Sequence, residues 1–134
     1  MRSFRILGLA LLMAVIGGCS SDSGGSSGPV VGWLKLTLDT PNSGDGSILF
    51  KIQGGEIDSI AGGAMMQRGD FNQFPTFMRV VVSGNLTDGP VAYILVPDTR
   101  DVAAYSVTVE QVAVKATNAQ RALTGYSVNV AVDN

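Results

Sequence analysis

From residue 32 onward, apolar side chains recur at every second position, the period of a strand with one buried face. In Gly32–Asp39, Leu34, Leu36 and Leu38 alternate with Lys35, Thr37 and Asp39, and Trp33 falls on the outward phase. Ser47–Gln53 repeats the pattern with Ile48, Phe50 and Ile52 inward and Lys51 and Gln53 outward. Gly54-Gly55 turns the chain into a shorter strand, Glu56–Ala61. Thr76–Ser83 sets Met78, Val80 and Val82 against Phe77, Arg79 and Val81. Val91–Val96 is almost continuously apolar, which predicts a strand central in its sheet, and Pro97–Asp101 reads as a polar loop. Tyr105–Val114 alternates through Val107 and Val109, then changes phase to Val112 and Val114, which predicts a β-bulge near Glu110–Gln111. Tyr126–Val132 closes the chain with Tyr126, Val128, Val130 and Val132 on one face.

Seven such segments, joined by turns rich in Gly, Asn, Asp and Pro, predict an all-β fold: a small two-sheet antiparallel β-sandwich over residues 30–134. Val, Ile and Thr supply 28 of those 105 residues, the composition of strands. Val80, Val82, Ile94 and Val109 are expected to be buried. Asn118–Leu123 is read as one helical turn. Gly62–Thr76 is the least strand-like stretch and is read as a long loop, with Met65 and Met66 able to form a short extra strand. Its Met65, Met66, Arg68, Phe71 and Phe74 form a candidate binding loop, or else cap the core. Arg68-Gly69-Asp70 spells the integrin-recognition tripeptide, and a chance match in a Gly-rich loop explains it as well.

The first 29 residues follow different rules. Met1–Arg5 carries two arginines, and Ile6–Ile16 is uninterruptedly apolar. As a helix this run spans about 16 Å, half of a hydrocarbon core, so it reads as a signal-peptide segment and not as a membrane span. It ends at Ile16-Gly17-Gly18-Cys19, which resembles the lipobox of bacterial lipoproteins. That resemblance implies a signal peptide over 1–18, acylation of the Cys19 thiol, and cleavage just before it. Ser20, where an Asp would favour the inner membrane, implies the outer membrane of a diderm envelope. Several acyl chains give a stable anchor where one is marginal. After Cys19, Ser20–Pro29 is Ser, Gly and Pro apart from Asp22. That composition predicts a coil with an r.m.s. reach of about 16–19 Å.

Composition narrows the chemistry further. Among 134 residues there is no histidine, one cysteine and a net charge of −2. This excludes His and Cys metal clusters, Ser-His and Cys-His catalysis and internal disulfides. The cations of the folded part are scattered singly, which argues against nucleic-acid binding. Asp39, Asn42 and Asp45 offer oxygens around one turn, but an Asx-rich turn explains them without a metal. Glu56 and Asp58 share one strand phase, the arrangement a carboxylate-based hydrolase would need, although a solvated strand face accounts for them too. Neither cofactor nor metal is expected.

Asn85–Pro97, with Gly-x-Val-Ala-x-Ile-x-Val-Pro after an Asn-Leu loop, resembles the central strands of cohesin-like and related immunoglobulin-like bacterial sandwich modules. The resemblance covers about a quarter of the domain and implies the sandwich alone, with no binding residues. The function expected is therefore that of a monomeric, membrane-anchored, non-catalytic module for an envelope protein or glycan. A purely structural envelope component and a carboxylate-based hydrolase are the alternatives.

Overall fold

The computed structural model describes residues 28–62 and 77–134, and residues 67–74 as backbone. The expected signal peptide, Cys19, Ser20, most of the expected tether, Met65 and Met66 lie outside the described residues. Period-two alternation becomes strand wherever a partner is available. The strands are β1 (Gly32–Asp39), β2 (Asp45–Gln53), β3 (Ser59–Gly62), β4 (Gln67–Phe74), β5 (Phe77–Leu86), β6 (Gly89–Val96), β7 (Ser106–Val114) and β8 (Ser127–Val132). They form two four-stranded sheets, β3-β6-β1-β8 and β4-β5-β2-β7, with every pair antiparallel. We call these sheet A and sheet B.

The two-sheet antiparallel sandwich expected from the alternation is what is found. The pairs β1:β8, β2:β7, β3:β6 and β4:β5 are those of one long hairpin wound over on itself, as in a jelly roll. All connections except β4–β5 cross from one sheet to the other. The neighbours β4-β5-β2 and β3-β6 are shared with the immunoglobulin arrangement. That arrangement sets β1 beside β2 and β7 beside β6, whereas here β1 lies beside β6 and β7 beside β2.

The core lies between the sheets. Leu34, Leu36 and Leu38 of β1 face Ile48, Phe50 and Ile52 of β2, with Val80 and Val82 of β5 and Ile94 and Val96 of β6 among them, all buried. Burying side chains of this size contributes roughly 1.5–3 kcal/mol each, the main term against chain entropy. Bulges on β7 and β6 adjust the phase. On β7, Leu49 pairs with Gln111 and Phe50 with Val109, so Glu110 is the inserted residue, where the sequence places it. On β6, Leu36 pairs with Ala92 and Thr37 with Pro90, so Val91 is inserted. That insertion is why the consecutive Val91 and Ala92 are both buried.

The structure corrects five expectations. Val80, Val82 and Ile94 are buried, but Val109 is only partly so, because β7 is the edge strand of sheet B. The Glu56–Ala61 strand is shorter and later: β3 begins at Ser59, and Glu56 and Asp58 lie in the preceding loop. The 62–76 stretch is not a long loop, since β4 occupies Gln67–Phe74 and pairs with β5. Asn118–Leu123 forms no helical turn. It returns along β7 through an Ala113–Gln120 bridge and a bond from the Arg121 N–H to the Val112 carbonyl, 2.8 Å, which covers an otherwise open edge. A 3-10 helix, Thr99–Ala104, stands in the predicted 97–101 loop, and the Asp98 carboxylate caps the Arg100 N–H.

Candidate functional site

The outer faces of the two sheets differ, and the difference locates the site. On sheet B, Arg79 makes two bonds to the Glu110 carboxylate, Nε to Oε2 at 2.8 Å and Nη2 to Oε1 at 3.2 Å. The Arg79 guanidinium also stands 5.5 Å from the centre of the Phe77 ring. Hydrogen bonding and charge from Arg79 hold the Glu110 carboxyl below the usual carboxylate range. Among the described side chains, this face carries its own ion pair, set over Phe77. Beside it, a shallow groove of about 270 Å³ runs between Leu49, Val81 and Ala113 and the returning segment at Asn118 and Gln120.

Sheet A presents aromatic surface instead. Trp33 on β1 is paired with Leu95 on β6, and Lys35 with Tyr93. Ser59 and Ala61 on β3 extend the same two rows past Leu95 and Tyr93. Because strand side chains alternate, the outward set is Trp33, Lys35, Tyr93, Leu95 and Ala61. Trp33 and Tyr93 are diagonal neighbours across the β1–β6 ladder, about 7–8 Å apart by the usual strand geometry and within reach of one bound molecule. Trp33 is 37% exposed, and Tyr93, Leu95 and Ala61 are partly exposed. Asp133, just past β8, bonds through its N–H to the Trp33 carbonyl, 3.1 Å, and its carboxylate lies 3.5 Å from the Lys35 ammonium. Trp33, Ala61, Tyr93 and Asp133 enclose a shallow depression of about 250 Å³.

The sequence-predicted residues are distributed elsewhere. Arg68, Phe71 and Phe74 sit on β4, opposite Val82, Arg79 and Phe77 of β5, and Asp70 pairs with Val80. The Arg-Gly-Asp tripeptide is thus part of a strand ladder. Glu56 and Asp58 are both exposed, and the Asp58 N–H bonds to the Leu95 carbonyl at 2.9 Å. Asp39 stands apart, whereas Asn42 and Asp45 meet at the Tyr126 hydroxyl. Asp39 takes bonds from Asn129 and Ser127, and Asn42 donates to the Tyr126 hydroxyl at 2.9 Å. Asp45 is buried and accepts from the Tyr126 hydroxyl at 2.6 Å, Arg121 Nε at 3.0 Å and the Thr40 hydroxyl at 3.1 Å. Burial pushes its pKa up, but these bonds outweigh burial and hold it below the ordinary value.

The sequence reading set Trp33 on the outward phase and missed Tyr93 and Asp133. The available signal for Tyr93 was its place on the outward phase of the Val91–Val96 run, once the strand is counted inward from Ile94. Compared with family models, curated proteins and solved structures, the chain shows no significant match to any of them.

Proposed function

We propose that this chain is an envelope-anchored lipoprotein whose sandwich is a non-catalytic saccharide-binding module, with Trp33 and Tyr93 as the stacking platform. The observation that carries the reading is the outward aromatic pair on sheet A. A sandwich's solvent face is ordinarily polar. Here two rings, Leu95 and Ala61 form a shallow apolar surface, and one charged pair stands at its margin. A sugar ring has matching properties: an apolar face of C–H groups to lie on an aromatic ring, and hydroxyls that donate to Asp133 and accept from Lys35. Shallow sites with few polar groups orient a ligand without enclosing it. The lipobox at Ile16–Cys19 supports the envelope location.

Trp33 is the sole tryptophan, so its emission reports directly on this surface. Titration of the mature protein with envelope oligosaccharides should change that emission saturably. Tyr93→Ala should weaken binding at least tenfold, about 1.4 kcal/mol, with an unchanged melt. Trp33→Ala should do the same by calorimetry. Saccharide binding that survives both substitutions would place the site elsewhere.

A further inference from the structure

We propose that the end of the sandwich at which the tether joins rests on the bilayer, with Val30, Val31 and Trp33 in the headgroup region. This rests on the lipoprotein reading of Cys19. Among the described residues, four large hydrophobic side chains are exposed: Val30 at 49%, Val31 at 65%, Trp33 at 37% and Leu123 at 38%. Three of the four fall within four residues of one another where the chain enters the fold. Scattered exposed apolar residues need no explanation, but a cluster does.

The cluster is held in place. The Val30 N–H donates to the Asp98 carboxylate at 3.2 Å, and its carbonyl accepts from the Thr99 N–H at 2.8 Å. The Trp33 carbonyl is fixed by the Asp133 N–H. The backbone on either side of Val31 is thus bonded to the body of the domain, while the valine side chains stay in solvent. An apolar end presented in this way to water alone gains nothing from the bonds that hold it there.

The position of the cluster identifies the occupant. Between Cys19 and Val30 the chain is Ser, Gly and Pro with one Asp. Even fully extended, the eleven steps from Cys19 to Val30 span no more than about 36–40 Å. Acyl chains on Cys19 therefore keep this end of the domain within reach of the lipid surface, at a high effective concentration, so even a small apolar contact is populated. Tryptophan is the side chain that favours the boundary between water and hydrocarbon. The contact is apolar and not electrostatic, because the chain carries net negative charge. Neutral and anionic lipids should serve equally. Tyr93 and Ala61 lie one ladder row farther from the tether than Trp33, so lipid and a stacked saccharide compete for the Trp33 ring while Tyr93 stays clear of the bilayer.

Brominated lipids test this directly. The acylated full-length product is placed in phosphatidylcholine vesicles brominated near the top of the acyl chains, and Trp33 emission is compared with that on unbrominated vesicles. Quenching is expected, undiminished when no anionic lipid is present. It should be lost in the Val30→Asp, Val31→Asp double variant, which still floats with the vesicles through Cys19 and melts as wild type does. Emission unchanged by bromine in protein that floats with the vesicles would overturn the docking and leave the lipoprotein reading intact. Quenching that appears only with anionic lipid would overturn the apolar contact. A mature protein without an acyl mass on Cys19 would overturn the lipoprotein reading and the docking with it.

Discussion

The end of the sandwich where the chain enters is closed by glycines, whereas the far end is closed by one buried carboxylate. At the first, Gly54 has φ +127° and lies so close to the 3-10 helix that a Cβ would stand 1.7 Å from the Ala104 carbonyl oxygen. Gly55 lies against the Tyr105 ring, and the Tyr105 hydroxyl donates to the Glu56 carbonyl at 2.6 Å. Backbone there sits directly on its neighbours, and only glycine leaves the room. At the far end, Asp45 is 1% exposed and joins three elements: Thr40 after β1, Arg121 in the return along β7, and Tyr126 before β8. One closure depends on shape and ignores pH. The other depends on an ionised group and does not.

That difference can be broken from either side. The largest effect is expected from Gly54→Ala, which meets both a backbone clash and a left-handed φ. It should cost more than about 3 kcal/mol in denaturant melts. A cost below about 1 kcal/mol would mean that Ala104 yields and the closure is not steric. Asp45→Ala comes next, at about 2–3 kcal/mol, because it strands three donors that a charged acceptor had satisfied. A cost near zero would show that water replaces the carboxylate.

The sign of the pH effect follows from the lowered pKa of Asp45. Its stabilisation is complete above the unfolded value, about pH 4, and is lost as pH falls through the lower folded value. Glu110 and Asp98 are shifted the same way and steepen the same limb. Asp45→Asn should therefore flatten the acid limb below about pH 4 without abolishing it, and Gly54→Ala should leave its shape unchanged. Parallel limbs in wild type and Asp45→Asn would refute the electrostatic closure. The smallest effect belongs to the other Asp–Arg pair. Arg100 Nε donates to Asp98 at 2.8 Å, but the guanidinium lies near solvent, so Arg100→Ala should leave the melt midpoint almost where it was.

Much of this was legible in the sequence where the physics is local. Strand phases in β1, β2, β5 and β8 follow from alternation, and the Glu110 bulge from its interruption. β4 was not legible, because Gln67-Arg68-Gly69-Asp70 alternates in nothing; its pairing partner is the β-branched run of β5. Asp45 looked like turn chemistry because Ser43-Gly44-Asp45-Gly46 is sufficient for a turn. The partners that make it a buried anion, Arg121 and Tyr126, lie 76 and 81 residues away. Tyr93 was hidden by an apolar neighbourhood on both phases. Val109 had the right phase, but its edge position belongs to the sheet order, which no local pattern encodes.

The strand order bears on how the chain comes to be folded. Leu34 pairs with Ile94 on one side and Val132 on the other, so β1 finds its neighbours only in the second half of the chain. The β4–β5 hairpin is the one sheet contact between consecutive strands. A polymer delivered N-terminus first therefore holds its Leu-rich first strand unpaired until β6 has arrived, and paired along one edge only until β8 does. Until then the strand's apolar face lacks part of its cover. A product clipped before β8 would carry β1 as an open, apolar edge, a template for aggregation built from the strand that was made first.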